Sequence, residues 1–295
     1  MEKAKVYFTK EITPESVVRL YDTLGVKLNG KVAVKLHSGE EGNQNYLRPE
    51  FVENIVKHVN GTVVECNTAY GGARNTTEKH EKLMESHGWS KYFDVDIMDS
   101  ESPDKSLEIP DGFMIKKDYV GKHIDNYDSM LVLSHFKGHK MGGFGGALKN
   151  MSIGVASSNG KAWIHSVGRT TSPLELRNYI EDQDGFLESM AEADKAVVEH
   201  FGCDNMAYIN VANKISIDCD CDSNPSEPEM ADIGIYASLD PVALDKCCYD
   251  AIINSKDEGK ASLIKRMEEK HAIHIVEIAE ELGIGTTDYE IINID

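Results

Sequence analysis

The stretch that most constrains this chain is residues 134–154, SHFKGHKMGGFGGALKNMSIG. An apolar run at 130–133 leads into it and reads as a buried strand. The strand empties into a loop with two histidines (His135, His139), two lysines (Lys137, Lys140) and five glycines between Gly138 and Gly146. Lys149 and Asn150 follow in a helix-compatible segment. A strand, a glycine-dense polar loop and then a helix is the order in which α/β proteins place their chemistry. Gly142, Gly143, Gly145 and Gly146 let the backbone approach a ligand, and successive free N–H groups can hold an anion. The competing reading is a tight loop whose glycines only serve packing, but His and Lys at this density are poor loop filler.

The same pattern occurs twice upstream. A strand at 31–36 ends in His37 and a polar loop to Tyr46, and Arg48-Pro49 then opens a helix through His58. A strand at 62–65 ends in Cys66 to Arg74, and Thr76 or Thr77 caps a helix that Gly88 stops. Strands and helices alternating at this spacing predict an α/β fold of mostly parallel sheet with flanking helices. The chain reads either as one unit over residues 1–295 or as two α/β lobes with the site in the cleft between them, with no clear linker. Ligands of such sheets lie beyond the carboxyl ends of the strands. Three polar strand ends are therefore expected to converge on one cleft.

The remaining pattern predicts strands at 5–9, 206–211, 233–237 and 289–294. Helices are expected at 14–24, 174–180, 185–200, 241–253, 261–269 and 274–282. Residues 100–125 read as short strands and turns.

Fifty acidic against 31 basic residues give a formal net charge of −19, which argues against a nucleic-acid or anionic-membrane partner. No apolar run is of signal-peptide or bilayer-spanning length, so a cytoplasmic protein with a small-molecule ligand is the expectation. None of the six cysteines forms a C-x-x-C pair, which argues against a zinc ribbon or a self-contained ferredoxin module. Cys219 and Cys221 lie in an acidic turn with Asp218, Asp220 and Asp222, and offer either two thiolates or a merely polar turn. Cys247 and Cys248 have apolar neighbours on a helix, where packing is the expected role.

His139 and Lys149 lie ten residues apart, and His165 follows sixteen later. Imidazoles ligate metals or move protons, and a lysine amine links covalently or clamps an anion. A lone histidine is more often structural, but several near one glycine loop favour function.

Four segments carry a family resemblance: VKLHSGEEGNQNYLRPEFV (34–52), NTAYGGARNTTEKHEKLMESHG (67–88), HFKGHKMGGFGGALKNMSIG (135–154), and DCDCDSN with DIGIYASLDPVALDK (218–246). They resemble the uncharacterised family called domain of unknown function 362, whose members are often labelled iron–sulfur centre proteins. Many relatives carry an inserted ferredoxin module. Here residues 168–202 contain no cysteine, so an iron–sulfur cluster would rest on Cys219 and Cys221, with Cys66 or Cys203 as the candidate further ligand.

A more distant resemblance is to nickel-pincer lactate racemases, through His139, Gly143, Phe144, Gly145, Lys149 and His165. It implies that Lys149 anchors a nucleotide-derived cofactor, that His165 ligates nickel and that His139 shuttles a proton. Gly142, Gly143, Gly145, Gly146, Asn150 and Arg74 would complete the cofactor pocket. The residue before Arg74 is Ala73, so His37 or His135 would supply a second acid/base group.

Three functions follow. One is an enzyme with a divalent metal (nickel or iron) or nucleotide-like cofactor at His139, Lys149 and His165. The second is an iron–sulfur electron-transfer protein. The third is a phosphate- or nucleotide-binding module without catalysis.

Overall fold

The computed structural model describes residues 3–180 and 182–295. Twelve strands are present among the described residues: β1 (Ala4–Thr9), β2 (Val32–Lys35), β3 (Gly61–Glu65), β4 (Val95–Ile97), β5 (Lys105–Glu108), β6 (Lys117–Val120), β7 (Ser129–His135), β8 (Lys137–His139), β9 (Gly143–Gly145), β10 (Met206–Ala212), β11 (Gly234–Ser238) and β12 (Tyr289–Asn293). The helices are α1 (Pro14–Thr23), α2 (Pro49–His58), α3 (Thr77–Ser86), α4 (Trp89–Tyr92), α5 (Ala147–Val155), α6 (Ser158–His165), α7 (Gln183–Phe201), α8 (Pro241–Ile253), α9 (Ala261–Glu269) and α10 (His274–Glu281).

One eight-stranded sheet runs in the order β12-β1-β11-β10-β7-β2-β3-β4. The pairs from β10 through β7, β2 and β3 to β4 are all parallel. Only β11 runs antiparallel to its neighbours β1 and β10. Every residue of β2, β7 and β10 is buried, because helices cover both faces of the sheet. Alternation divides each strand between two cores. Met130 and Val132 of β7 face the layer with α5, α7, α8 and α10, and Leu131 and Leu133 face the layer with α1 and α2.

Local chemistry sets the helix starts. Thr13 caps α1 by accepting from the Ser16 N–H, and Asp240 caps α8 by accepting from the Ala243 N–H. Pro49 and Pro241 occupy tolerated first-turn positions. The 174–180 helix does not form: only a short 3₁₀ turn, Leu176–Asn178, is present. Leu176 is the one buried side chain of that turn, so no apolar face offsets the cost of nucleating a longer helix. Conversely, α6 forms from the polar string SNGKAWIH, capped by Ser157, which accepts from the Gly160 N–H.

No helix among the described residues is long and apolar enough to cross a membrane.

Candidate active site

Parallel pairing places the carboxyl ends of β2, β3 and β7 side by side, and all three open onto one cavity of about 760 Å³. His37 follows β2, Cys66 to Arg74 follow β3, and His135 ends β7. The chain then forms the β8–β9 hairpin, with His139 paired to Gly143, and enters α5, which carries Lys149.

The start of α5 is held by a carboxylate from another helix. Asp245 of α8 accepts from the Ala147 N–H at 2.8 Å, the Leu148 N–H at 2.9 Å and the Asn210 side-chain amide at 2.7 Å. These are orphan donors of a helix N-terminus, and a negative group belongs there. Gly146 is required at this approach, because a Cβ would run into the Asp245 carboxylate. Asn150 fixes the next turn: its amide donates to the backbone carbonyls of Lys35 and Leu133 and to the Ser134 hydroxyl. Its role is thus to tie α5 to the ends of β2 and β7.

Inside an acidic protein the cavity wall is cationic, with Lys35, Arg74, Lys137, Lys149 and Lys161. Three of the five are in ion pairs, and a fourth, Lys161, is held by a backbone carbonyl. Lys35 Nζ lies 2.8 Å from Glu65, which also accepts from the Ser38 N–H and hydroxyl. Burial opposes ionisation of Glu65, but Lys35, His80 and Arg74 overcome it and bring its pKa down to about 2. Arg74 bonds Glu40 at 3.2 Å and the Tyr70 hydroxyl at 2.7 Å. Lys137 meets Asp220 at 2.8 Å, and Lys161 donates to the Ala156 carbonyl. Lys149 has no hydrogen bond or ion pair among the described residues. Burial, then the charges of Lys137, Lys35 and Arg74 against that of Asp220, bring its pKa down to about 7.

The histidines divide by which nitrogen the backbone engages. His165 donates from Nδ1 to the Lys161 carbonyl at 2.7 Å, leaving Nε2 bare, and its ring stacks on Phe186 at 4.6 Å. Burial first, and then Lys149 and Lys161, lower its pKa to about 4. His139 is the reverse: Nδ1 accepts from the Gly142 N–H at 2.8 Å, so the proton sits on Nε2. His37 Nδ1 likewise accepts from the Gly39 N–H at 3.0 Å. Burial holds both well below the usual histidine range, assisted by Lys149 at His139 and by Arg74 at His37. His135 faces an acceptor at each nitrogen, Asp220 at 3.0 Å and the Asn213 carbonyl at 2.6 Å, which leaves no free nitrogen for a ligand.

Of the residues singled out in the sequence, His37, Arg74, His135, His139, Gly145, Gly146, Lys149, Asn150, His165 and Cys221 line the cavity. Gly142, Gly143 and Cys219 lie behind this wall. Gly143 sits at φ 80° against Ala272, where it turns the hairpin. His139, Cys219 and Cys221 bring donor atoms within 4.8 Å of one another, with His165 outside that group. The two cysteines are joined as a disulfide. Cys247 and Cys248 are buried in the core, and no set of four cysteines lies together among the described residues.

Sequence reasoning missed Lys35, Glu65, Lys161 and Asp245 as parts of the site. A lysine in the apolar strand KVAVKL, and a lysine one helical turn before His165, were the available signals.

No curated protein matches the chain. A crystal structure of a protein from Thermotoga maritima aligns with a TM-score of 0.44 at 12% identity, over 92% of this chain and 59% of that one. The lactate racemase apoprotein from Thermoanaerobacterium thermosaccharolyticum aligns with a TM-score of 0.39 at 16% identity, over 70% of this chain and 50% of that one. The chain thus spans about three fifths and half of these two structures. A family model described as Domain of unknown function (DUF362) matches residues 32–250, a span that includes every residue lining the cavity, and the chain belongs to that family.

Proposed function

We propose that this protein is an enzyme that binds a small organic anion, a carboxylate or phosphate, on Lys149 and acts on it by acid–base chemistry. The observation that carries this reading is the Lys149 ammonium, which has no hydrogen bond or ion pair among the described residues, in a cavity whose Lys35, Arg74 and Lys137 are in ion pairs and whose Lys161 is held by a carbonyl. An anion restores the missing counter-charge, and charge-assisted hydrogen bonds are the strong ones. His165 Nε2 is unprotonated and serves as base or ligand. His139 Nε2 carries a proton and serves as donor.

The donor set also fits part of the cofactor chemistry that the racemase resemblance implies. A histidine whose Nδ1 donates to a carbonyl presents Nε2 in the way metal-bound imidazoles do, as His165 does. A lysine amine with a lowered pKa is suited to covalent attachment, as Lys149 is. A bound metal cofactor would supply an electrophile or hydride acceptor there. The chain's own part is to hold the anion at Lys149, orient His165 through Lys161 and keep the His139 proton on Nε2.

A second reading rests on His139, Cys219 and Cys221. Reduction of the disulfide by a dithiol gives two thiols close to a histidine, a set suited to a soft metal. Metal analysis of protein purified anaerobically from its native host, with and without reductant, tests it: two-thiol-dependent iron or zinc supports it, and no metal in either form removes it.

Calorimetric titration of acetate and inorganic phosphate into wild type and Lys149→Ala tests the main reading. Binding by wild type that the variant loses supports it, and equal binding by both contradicts it.

A further inference from the structure

The cavity is larger than a two- or three-carbon acid requires. Its volume of about 760 Å³ is in the range that encloses drug-sized ligands. Its wall also changes character with depth. The buried lining includes Lys35, Lys137, His135 and His139, whereas the exposed lining, the cavity's mouth, carries Tyr70, Leu174 and Ile180 together with Lys140 and Arg177. Among the described residues, six large hydrophobic side chains are exposed, and three of them, Tyr70, Leu174 and Ile180, stand at this mouth. Leu174 is 94% exposed. Apolar side chains gathered at one opening mark a binding surface, whereas isolated ones are ordinary.

The strip that carries them is anchored to the cavity wall. Leu176 packs with Ala69 and Ala162 in a small cluster separate from both main cores. Ser166 secures the approach to the strip: its hydroxyl donates to the Thr170 carbonyl and accepts from the Thr170 N–H. Leu174 and Ile180 are therefore held at the opening while contributing nothing to either core.

We propose that the ligand is an anionic amphiphile, with a carboxylate or phosphate head at Lys149 and an apolar body seated on Tyr70, Leu174 and Ile180. The head rests on the anion-binding reading above, and the body is the new element. Burying a methylene fully is worth about fourfold in affinity, and a half-open mouth gives about twofold.

The test is calorimetric titration of the full chain with acetate, butyrate, hexanoate and octanoate below micelle-forming concentrations, and with the matching alkyl phosphates. Affinity is expected to rise about twofold per methylene, about sixtyfold from acetate to octanoate. The rise per methylene is expected to shrink in Leu174→Ser and Ile180→Ser. Comparison of the two series identifies the preferred head. Octanoate binding no tighter than acetate overturns the amphiphile, and so does a rise that neither serine variant reduces; the apolar mouth then belongs to a protein partner. If octanoate binds Lys149→Ala as well as wild type, the anion reading fails while the apolar mouth stands. If no probe binds, both fail.

Discussion

At the scale of the residue, the site is defined by which charges are satisfied. Asp220 serves both His135 and Lys137, and the cations around it hold its carboxyl well below the usual carboxylate range despite burial. Glu65 and Glu40 serve Lys35 and Arg74. These groups are matched in advance, and Lys149 has no such partner among the described residues. Replacing Lys149 by Ala is expected to weaken anion binding by about 2 kcal/mol, roughly thirtyfold, the worth of a hydrogen bond to a charged group. Lys149→Arg should retain part of the affinity, because charge persists while the geometry changes. Calorimetry with phosphate checks both. His139, Lys149 and His165 were legible in the sequence as reactive types at one glycine loop. Which of them is free was not. That depends on partners distant in the chain: Lys137 on Asp220, and Asp220 in turn on His135.

At the scale of the element, α5 is the piece that carries Lys149, and its placement rests on a carboxylate 96 residues away from Lys149, Asp245. Burial raises the Asp245 pKa to about 6 even though Asn210 and two backbone N–H groups favour its charged form. Asp245→Ala leaves those donors unpaired in the core. It is expected to cost about 2–3 kcal/mol of stability in urea denaturation, and to lower anion affinity by releasing the start of α5. Gly146→Ala should be at least as damaging, since its Cβ collides with the same carboxylate. Element assignment from sequence worked where periodicity and caps agreed, as for α2 with Pro49 and α8 with Asp240. It failed at 174–180, where leucines suggested a helix but serve as exposed or isolated side chains. It also left α6 undescribed, because SNGKAWIH has no apolar stripe and gains its helix from Ser157 and tertiary packing.

At the scale of the whole molecule, strand order explains why three separated loops meet. β7, β2 and β3 are neighbours and parallel, so their carboxyl ends share one edge of the sheet. That convergence was readable from three strands each ending in a polar loop. The apolar mouth was not, since it needs the return of residues 173–180 across the cavity after α6.

The cost of burying unmatched charge shows elsewhere in the fold. Asp118 is fully buried, and its carboxylate is in no ion pair among the described residues. Burial raises its pKa to about 7, above the value near 3.9 expected in the unfolded chain. The folded state therefore binds more protons between these values, and stability falls as pH rises through the window from about 4 to 7. Asp118→Asn is expected to raise the melting temperature at pH 8, with the gain shrinking towards pH 4. A gain independent of pH would contradict the assignment.

The pH dependence of anion affinity tests the central claim most directly. Phosphate carries a changing charge of its own near pH 7, so the probe is octanoate, titrated calorimetrically between pH 6 and 9 into wild type and Lys149→Ala. The account predicts that wild-type affinity is flat at low pH and declines as pH rises through about 7, the pKa of Lys149, while the variant is weak throughout. Equal affinity in the two proteins across the range would contradict it.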